Sequence, residues 1–111
     1  MDFAIGIGRT ESMHEIGDHA RVAEESGFKH LTIVDIPYLG REVDAMMTMA
    51  ALNTKRIRIG QGVTDPVTRH PLVTANASAS IDELSGGRAF VGIGTGGPWG
   101  KPMGWRVMDS S

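Results

Sequence analysis

Four short apolar runs, each followed within two residues by glycine or proline and separated by segments of helical length, limit what this chain of 111 residues can fold into. The runs are Asp2 to Ile7 (DFAIGI), His30 to Ile36 (HLTIVDI), Arg56 to Thr64 (RIRIGQGVT) and Arg88 to Thr95 (RAFVGIGT). Runs of this length and composition suit strands buried in a parallel sheet. The segments between them carry helix signals. Ser12 and Glu15 form a capping box, Met13, Ile16, Ala20 and Ala23 recur at helical spacing, and Gly27 offers a left-handed stop. This predicts a helix over Met13 to Ser26. After the turn IPYLGR, the stretch VDAMMTMAALNT is made of strong helix formers whose methionines fill core gaps. A third helix takes Pro71 as its first residue, keeps Val73, Ala77, Ile81 and Leu84 in register, and stops at Gly86 and Gly87.

The order is βαβαβαβ, which implies parallel strands joined by right-handed crossovers. Two α/β architectures share it. One is a doubly wound open sheet. The other is the N-terminal half of a (β/α)8 TIM barrel, whose full length is about 250 residues. Four units alone leave two strand edges and one sheet face uncovered, so the chain reads as a fragment of something larger. Residues 1–111 form the half-barrel domain in this reading. Within it, residues 98–111 (PWGKPMGWRVMDSS) lack periodicity and read as a loop or tail.

Composition narrows the function. Charged residues are 22% and the formal net charge is −2, which gives nucleic acid or an anionic membrane no basic field to bind. The absence of cysteine rules out disulfide and thiolate chemistry. The start, MDFAIGIGRTE, has no basic region ahead of its apolar run, and no segment approaches the roughly 18 apolar residues of a membrane helix. A cytoplasmic location is expected.

In both architectures ligands bind where strands end. The places to search are Gly8-Arg9, Asp35 to Arg41, Gly62 to His70 and Gly94 to Gly97. The stretch GQGVTDPVTRHP, Gly60 to Pro71, is the most informative, because two glycines within a strand mark a bulge or a surface approached closely by something else. Gly92 to Gly97 (GIGTGG) matches GxGxxG formally. It belongs to the fourth strand, however, and Pro98, Gly100 and Pro102 follow where a dinucleotide fingerprint opens a helix. His14 and His19 fall on different faces of one helix and are expected to meet solvent, and His30 lies at the far end of the sheet. No cluster has metal-ligand spacing. His70 either caps the third helix or touches a ligand. Asp35 ends an apolar strand and needs a partner there, either a ligand or a salt bridge to Arg41.

The combination of GQGVTDPVTRHP with IDELSGGRAFVGIGTGG resembles the luciferase-like flavin-dependent oxidoreductases, in particular the branch that uses deazaflavin, including the methylenetetrahydromethanopterin reductases. The resemblance runs from Met1 to about Met108. It implies a (β/α)8 barrel of roughly three times this length, a homodimer when full length, and a small-molecule substrate. It also implies coenzyme F420, with FMN the alternative. By that resemblance a bulge with a cis peptide at Gly62-Val63 supports the coenzyme ring from behind, and Thr64 lies beside it. Asp35 faces its reactive edge, and Thr95 with Gly96 hydrogen-bonds the ring. Asp65-Pro66 and Arg69-His70 fix the loop returning to the third helix. Sugar-phosphate dehydrogenases of this kind carry a histidine and a glutamate where this chain has Ile36 and Gly97, so that acid–base pair is missing. The expected activity is hydride transfer between deazaflavin and a small organic substrate. An FMN-dependent monooxygenase is the second reading, and a non-catalytic self-assembling half-barrel the third.

Overall fold

The first strand, β1 (Ala4–Ile7), leads into α1 (Met13–Glu25) and then β2 (His30–Ile33) in a computed structural model that describes residues 1–104. The chain continues through α2 (Val43–Leu52), β3 (Arg58–Thr64), α3 (Pro71–Ser85) and β4 (Ala89–Ile93) to a short 3-10 helix, Pro98–Met103. This 3-10 helix occupies the start of the stretch read as a loop, and residues 105–111 lie outside the described part.

The four strands are parallel and follow chain order, β1-β2-β3-β4. A doubly wound sheet reverses its strand order and carries helices on both faces. Here the order never reverses, and α1, α2 and α3 lie side by side in sequence. This is the half-barrel arrangement. The core lies between sheet and helices, where Leu31, Ile33 and Ile59 meet Ile16, Ala20, Met46, Met47 and Ala50, all fully buried. The methionines of α2 thus serve as core filling.

The opposite face of the sheet carries the row Gly6, Thr32, Gly60, Phe90, whose members pair across all four strands. Phe90 lies flat enough on β3 that a methyl group on Gly60 would stand 2.5 Å from its Cδ2, and one on Gly62 would stand 2.5 Å from the Thr32 Cβ. Neither glycine has a positive φ. Their role is therefore room, filled by this chain's own Phe90 and Thr32. Below them, His30 meets the Phe90 ring edge-on at 6.0 Å and the Arg58 guanidinium lies 5.6 Å from the ring centre.

Several boundaries move from the sequence reading for identifiable reasons. β3 begins at Arg58, two residues later than Arg56, because the amides of Lys55, Arg56 and Ile57 all donate to the Glu24 carboxylate. β2 leaves the sheet at Ile33, which frees Asp35 to turn toward Arg69. On α3 the expected inward set holds at Ile81 and fails at its two ends. Val73 and Leu84 are 54% and 51% exposed, whereas Thr74, Ser78, Ile81 and Ser85 are buried. The cause lies in β3, whose Gln61 side chain reaches the Ser78 hydroxyl at 3.3 Å and so asks for a polar helix face. The N-terminal end of the sheet is closed by Arg88, which donates to the carbonyls of Ala51, Thr54, Ile57 and Ser85 and to the Thr54 hydroxyl.

Candidate functional site

At the C-terminal ends of the strands the backbone itself is the first feature. β3 shifts register against β4 between Gln61 and Thr64, and the Gly62-Val63 peptide is cis, as the sequence resemblance implies. The bulge turns Val63 outward, leaving it 49% exposed. Its two methyls lie over β4, 3.3 Å from where side-chain carbons at Gly92 and Gly94 would stand. Two of the four glycines of GIGTGG are thus explained by packing and a third by its backbone. Gly92 and Gly94 leave space for Val63 and for the β3 backbone, and Gly96 takes a φ of 91° that L side chains avoid. Among the described residues only the 3-10 helix Pro98–Met103 follows, where a dinucleotide fingerprint opens an α-helix. Thr95 is exposed beside this shelf, and the Gly94 amide donates to the Thr64 carbonyl at 2.8 Å.

Behind the shelf sits an ionic cluster that is buried at Asp35 and exposed at Glu42. The Asp35 carboxylate accepts from the Thr64 hydroxyl at 2.7 Å and from two Arg69 nitrogens at 2.6 and 3.3 Å. Its salt-bridge partner is Arg69 rather than the Arg41 considered from sequence, because the loop after β3 folds back over the end of β2. Asp35 and Thr64 are both buried, with their polar atoms directed at each other. Arg69 also donates to Glu42 at 2.9 Å and lies 3.9 Å from Asp44. One guanidinium therefore faces three carboxylates. Burial, then the nearby charge of Glu42, raises the Asp44 carboxyl above its ordinary range, against the opposing pull of Arg69 and of the Gln61 amide.

The loop from Asp65 to His70 is ordered locally. Asp65 Oδ1 accepts from the amides of Val67 and Thr68, both at 2.8 Å, which is an Asx turn ahead of α3. His70 is the N-cap of α3, its Nδ1 accepting from the Leu72 amide at 3.1 Å, so of its two sequence readings the cap is the one observed. His14 and His19 face outward, and His30 sits at the opposite end of the sheet. Among the described residues no group of three or more candidate ligands could hold a metal ion. None of their helices is long and apolar enough to cross a membrane.

Sequence reasoning missed Glu42, Asp44 and Glu11. Glu42 and Asp44 open α2, where acidic residues read simply as dipole complements and caps. The Glu11 carboxylate accepts the Gly8 and Thr10 amides at 3.1 and 3.0 Å and shapes the end of β1. Nothing local in RTES signals that contact.

Val63 presents an exposed apolar surface, the β4 glycines carry no side chains beneath it, and Thr95 is exposed next to Gly96. A sheet of four parallel strands in chain order, with its helices on one face, is the arrangement of half a (β/α)8 barrel, in which ligands bind at the C-terminal ends of the strands. Comparison with known proteins agrees. The luciferase-like monooxygenase family model matches residues 2–103, and the chain belongs to that family. It is 40% identical over 96 residues to the 5,10-methylenetetrahydromethanopterin reductase of Methanolobus tindarius, covering 86% of this chain and 29% of that protein. Among solved structures, the coenzyme F420-dependent tetrahydromethanopterin reductase from Methanopyrus kandleri matches with a TM-score of 0.89 and 37% identity, over 95% of this chain and 30% of that one. The monooxygenase RslO1 from Streptomyces bottropensis matches with a TM-score of 0.76 and 31% identity, over 86% of this chain and 33% of that one. The chain thus spans about a third of the length of these relatives.

Proposed function

We propose that this chain supplies the coenzyme-facing half of a barrel that transfers hydride between the deazaflavin F420 and a small organic substrate. The observation that carries this reading is the exposed Gly62-Val63 shelf over Gly92 and Gly94. It is supported by the similarity to the F420-dependent reductase of Methanopyrus kandleri over nearly the whole chain. When bound, the deazaflavin supplies a carbon that gives or takes the hydride. The chain's own residues do the rest. Val63 would carry the face of the ring, Gly62 would support it as the exposed backbone beside Val63, and Thr95 with Gly96 would hold its polar edge. Asp35, with both oxygens engaged, holds the Thr64 and Arg69 groups that shape the pocket wall. Ile36 and Gly97 offer no acid–base pair, so oxidation of a sugar phosphate is disfavoured. The working protein is a cytoplasmic homodimer in this reading.

FMN-dependent oxygenation is the second reading, favoured by the similarity to the monooxygenase RslO1. Isolating the gene product from its native cells, and identifying by mass both the polypeptide and the coenzyme that travels with it, separates the two. A bound deazaflavin supports the first and FMN the second. A product of 111 residues with no coenzyme would overturn both and leave the self-assembling half-barrel. The phosphate of a barrel-bound coenzyme is commonly gripped after the seventh and eighth strands. The 111-residue chain by itself is therefore expected to bind neither F420 nor FMN in the micromolar range, as read by fluorescence titration.

A further inference from the structure

We propose that Arg69 is a positioning residue whose guanidinium latches the loop after β2 to the loop after β3 and thereby fixes the Gly62-Val63 shelf. The connection is short. Arg69 grips Asp35 through two nitrogens, Asp35 accepts the Thr64 hydroxyl, and Thr64 is bonded directly to Val63. On its other side the same guanidinium holds Glu42, whose second oxygen accepts the Ala45 amide as the N-cap of α2. A single planar fork thus ties the end of β2, the start of α2 and the turn after β3. Lysine cannot replace it, because one ammonium cannot span the Asp35 and Glu42 carboxylates with the same geometry. The aim of the latch at a coenzyme ring rests on the function proposed above. Its existence does not.

The test is amide hydrogen exchange on the 111-residue chain without any coenzyme, comparing the parent with Arg69→Met, Arg69→Lys and Glu42→Gln. Arg69→Met is expected to speed exchange at least tenfold in residues 36–45 and 62–70, while the buried amides of Leu31, Ile33 and Ile59 keep their protection. Arg69→Lys should recover part of the protection near Asp35 and little at residues 41–45. Glu42→Gln removes only the exposed arm, so it should fold even where Arg69→Met does not, and should loosen residues 41–45 selectively. Uniform acceleration throughout the core would reduce Arg69 to a general contributor to stability and overturn the proposal. So would unchanged exchange in both loops. Since no coenzyme is present, failure here leaves the coenzyme reading standing, and failure of that reading leaves this one.

Discussion

Glu24 and Asp44 carry the same charge and are held in opposite ways. Burial alone would raise the Glu24 carboxyl, but the amides of Ile57, Arg56 and Lys55, together with Arg56, outweigh it and hold it below the usual range. A depressed carboxyl contributes stability above its unfolded value of about 4.3, and that contribution is lost as pH falls through the folded value. Asp44 is raised, by burial first and by Glu42 second. Its contribution has the reverse sign, present below about 3.9 and lost as pH rises through the folded value. Glu24→Gln should therefore lower stability at pH 7 by about 2 kcal/mol, since three amides lose a charged acceptor. It should also flatten the loss of stability seen on acidification. Asp44→Asn, which keeps an acceptor for Gln61, should leave stability at pH 7 unchanged or raised. Urea midpoints between pH 3 and 7 check both, and equal losses in the two variants would refute the contrast. Neither role was legible locally. Glu24 acts on amides far along the chain, and in AEESG it reads as part of a solvated helix end.

For single elements, the glycines separate into two physical classes. Gly27 follows α1 with a φ of 91° and open space around it, so Gly27→Ala meets only backbone strain, costing about 1 kcal/mol. Gly60 has an ordinary backbone, but a methyl group there would collide with the Phe90 ring and carbonyl and press β3 away from β4. Gly60→Ala should cost about 3 kcal/mol, the upper range for overpacking a tight site. Thermal unfolding of the two variants ranks them, and a Gly60→Ala loss no larger than that of Gly27→Ala would remove the packing account. The same division explains what could be read in advance. Start and stop signals such as Ser12 with Glu15, Pro71 and Gly86 act within a few residues, and each lies where the sequence placed it. The buried face of α3 was not legible, because it is set by Gln61 on another element and not by the periodicity of the helix itself.

On the scale of the whole molecule, the two ends of the sheet do different work. The N-terminal end is fastened by Glu24 and Arg88 to backbone groups, beside a cavity of about 330 Å³ lined by Glu24, Lys29, Arg56 and Ile57. The C-terminal end holds the ionic cluster and the shelf. Strand order alone left a doubly wound sheet in play, and only the resemblance carried by GQGVTDPVTRHP and GIGTGG chose the barrel from sequence. Among the described residues the outer strands β1 and β4 each pair on one side only. Phe3 beside β1 is exposed, and Ile93 in β4 is 57% exposed. Unpaired, apolar strand edges invite association between copies. The 111-residue chain is therefore expected to self-associate, which sedimentation velocity over a concentration series would show as a rising sedimentation coefficient. Ile93→Lys should shift it toward monomer, and an unchanged sedimentation profile would locate the contact elsewhere.

Each strand pairs with the one just before it in the chain, so partners in the sheet are always roughly thirty residues apart and no strand waits for a distant one. During synthesis, which adds about 5–20 residues per second, β1, α1 and β2 can therefore dock before β4 has been made. Assembly becomes vectorial, each new unit growing on a template already in place. Nascent chains arrested once Thr64 has left the ribosome should already resist protease across residues 4–33, whereas a molecule that had to wait for its last strand would show no such protection.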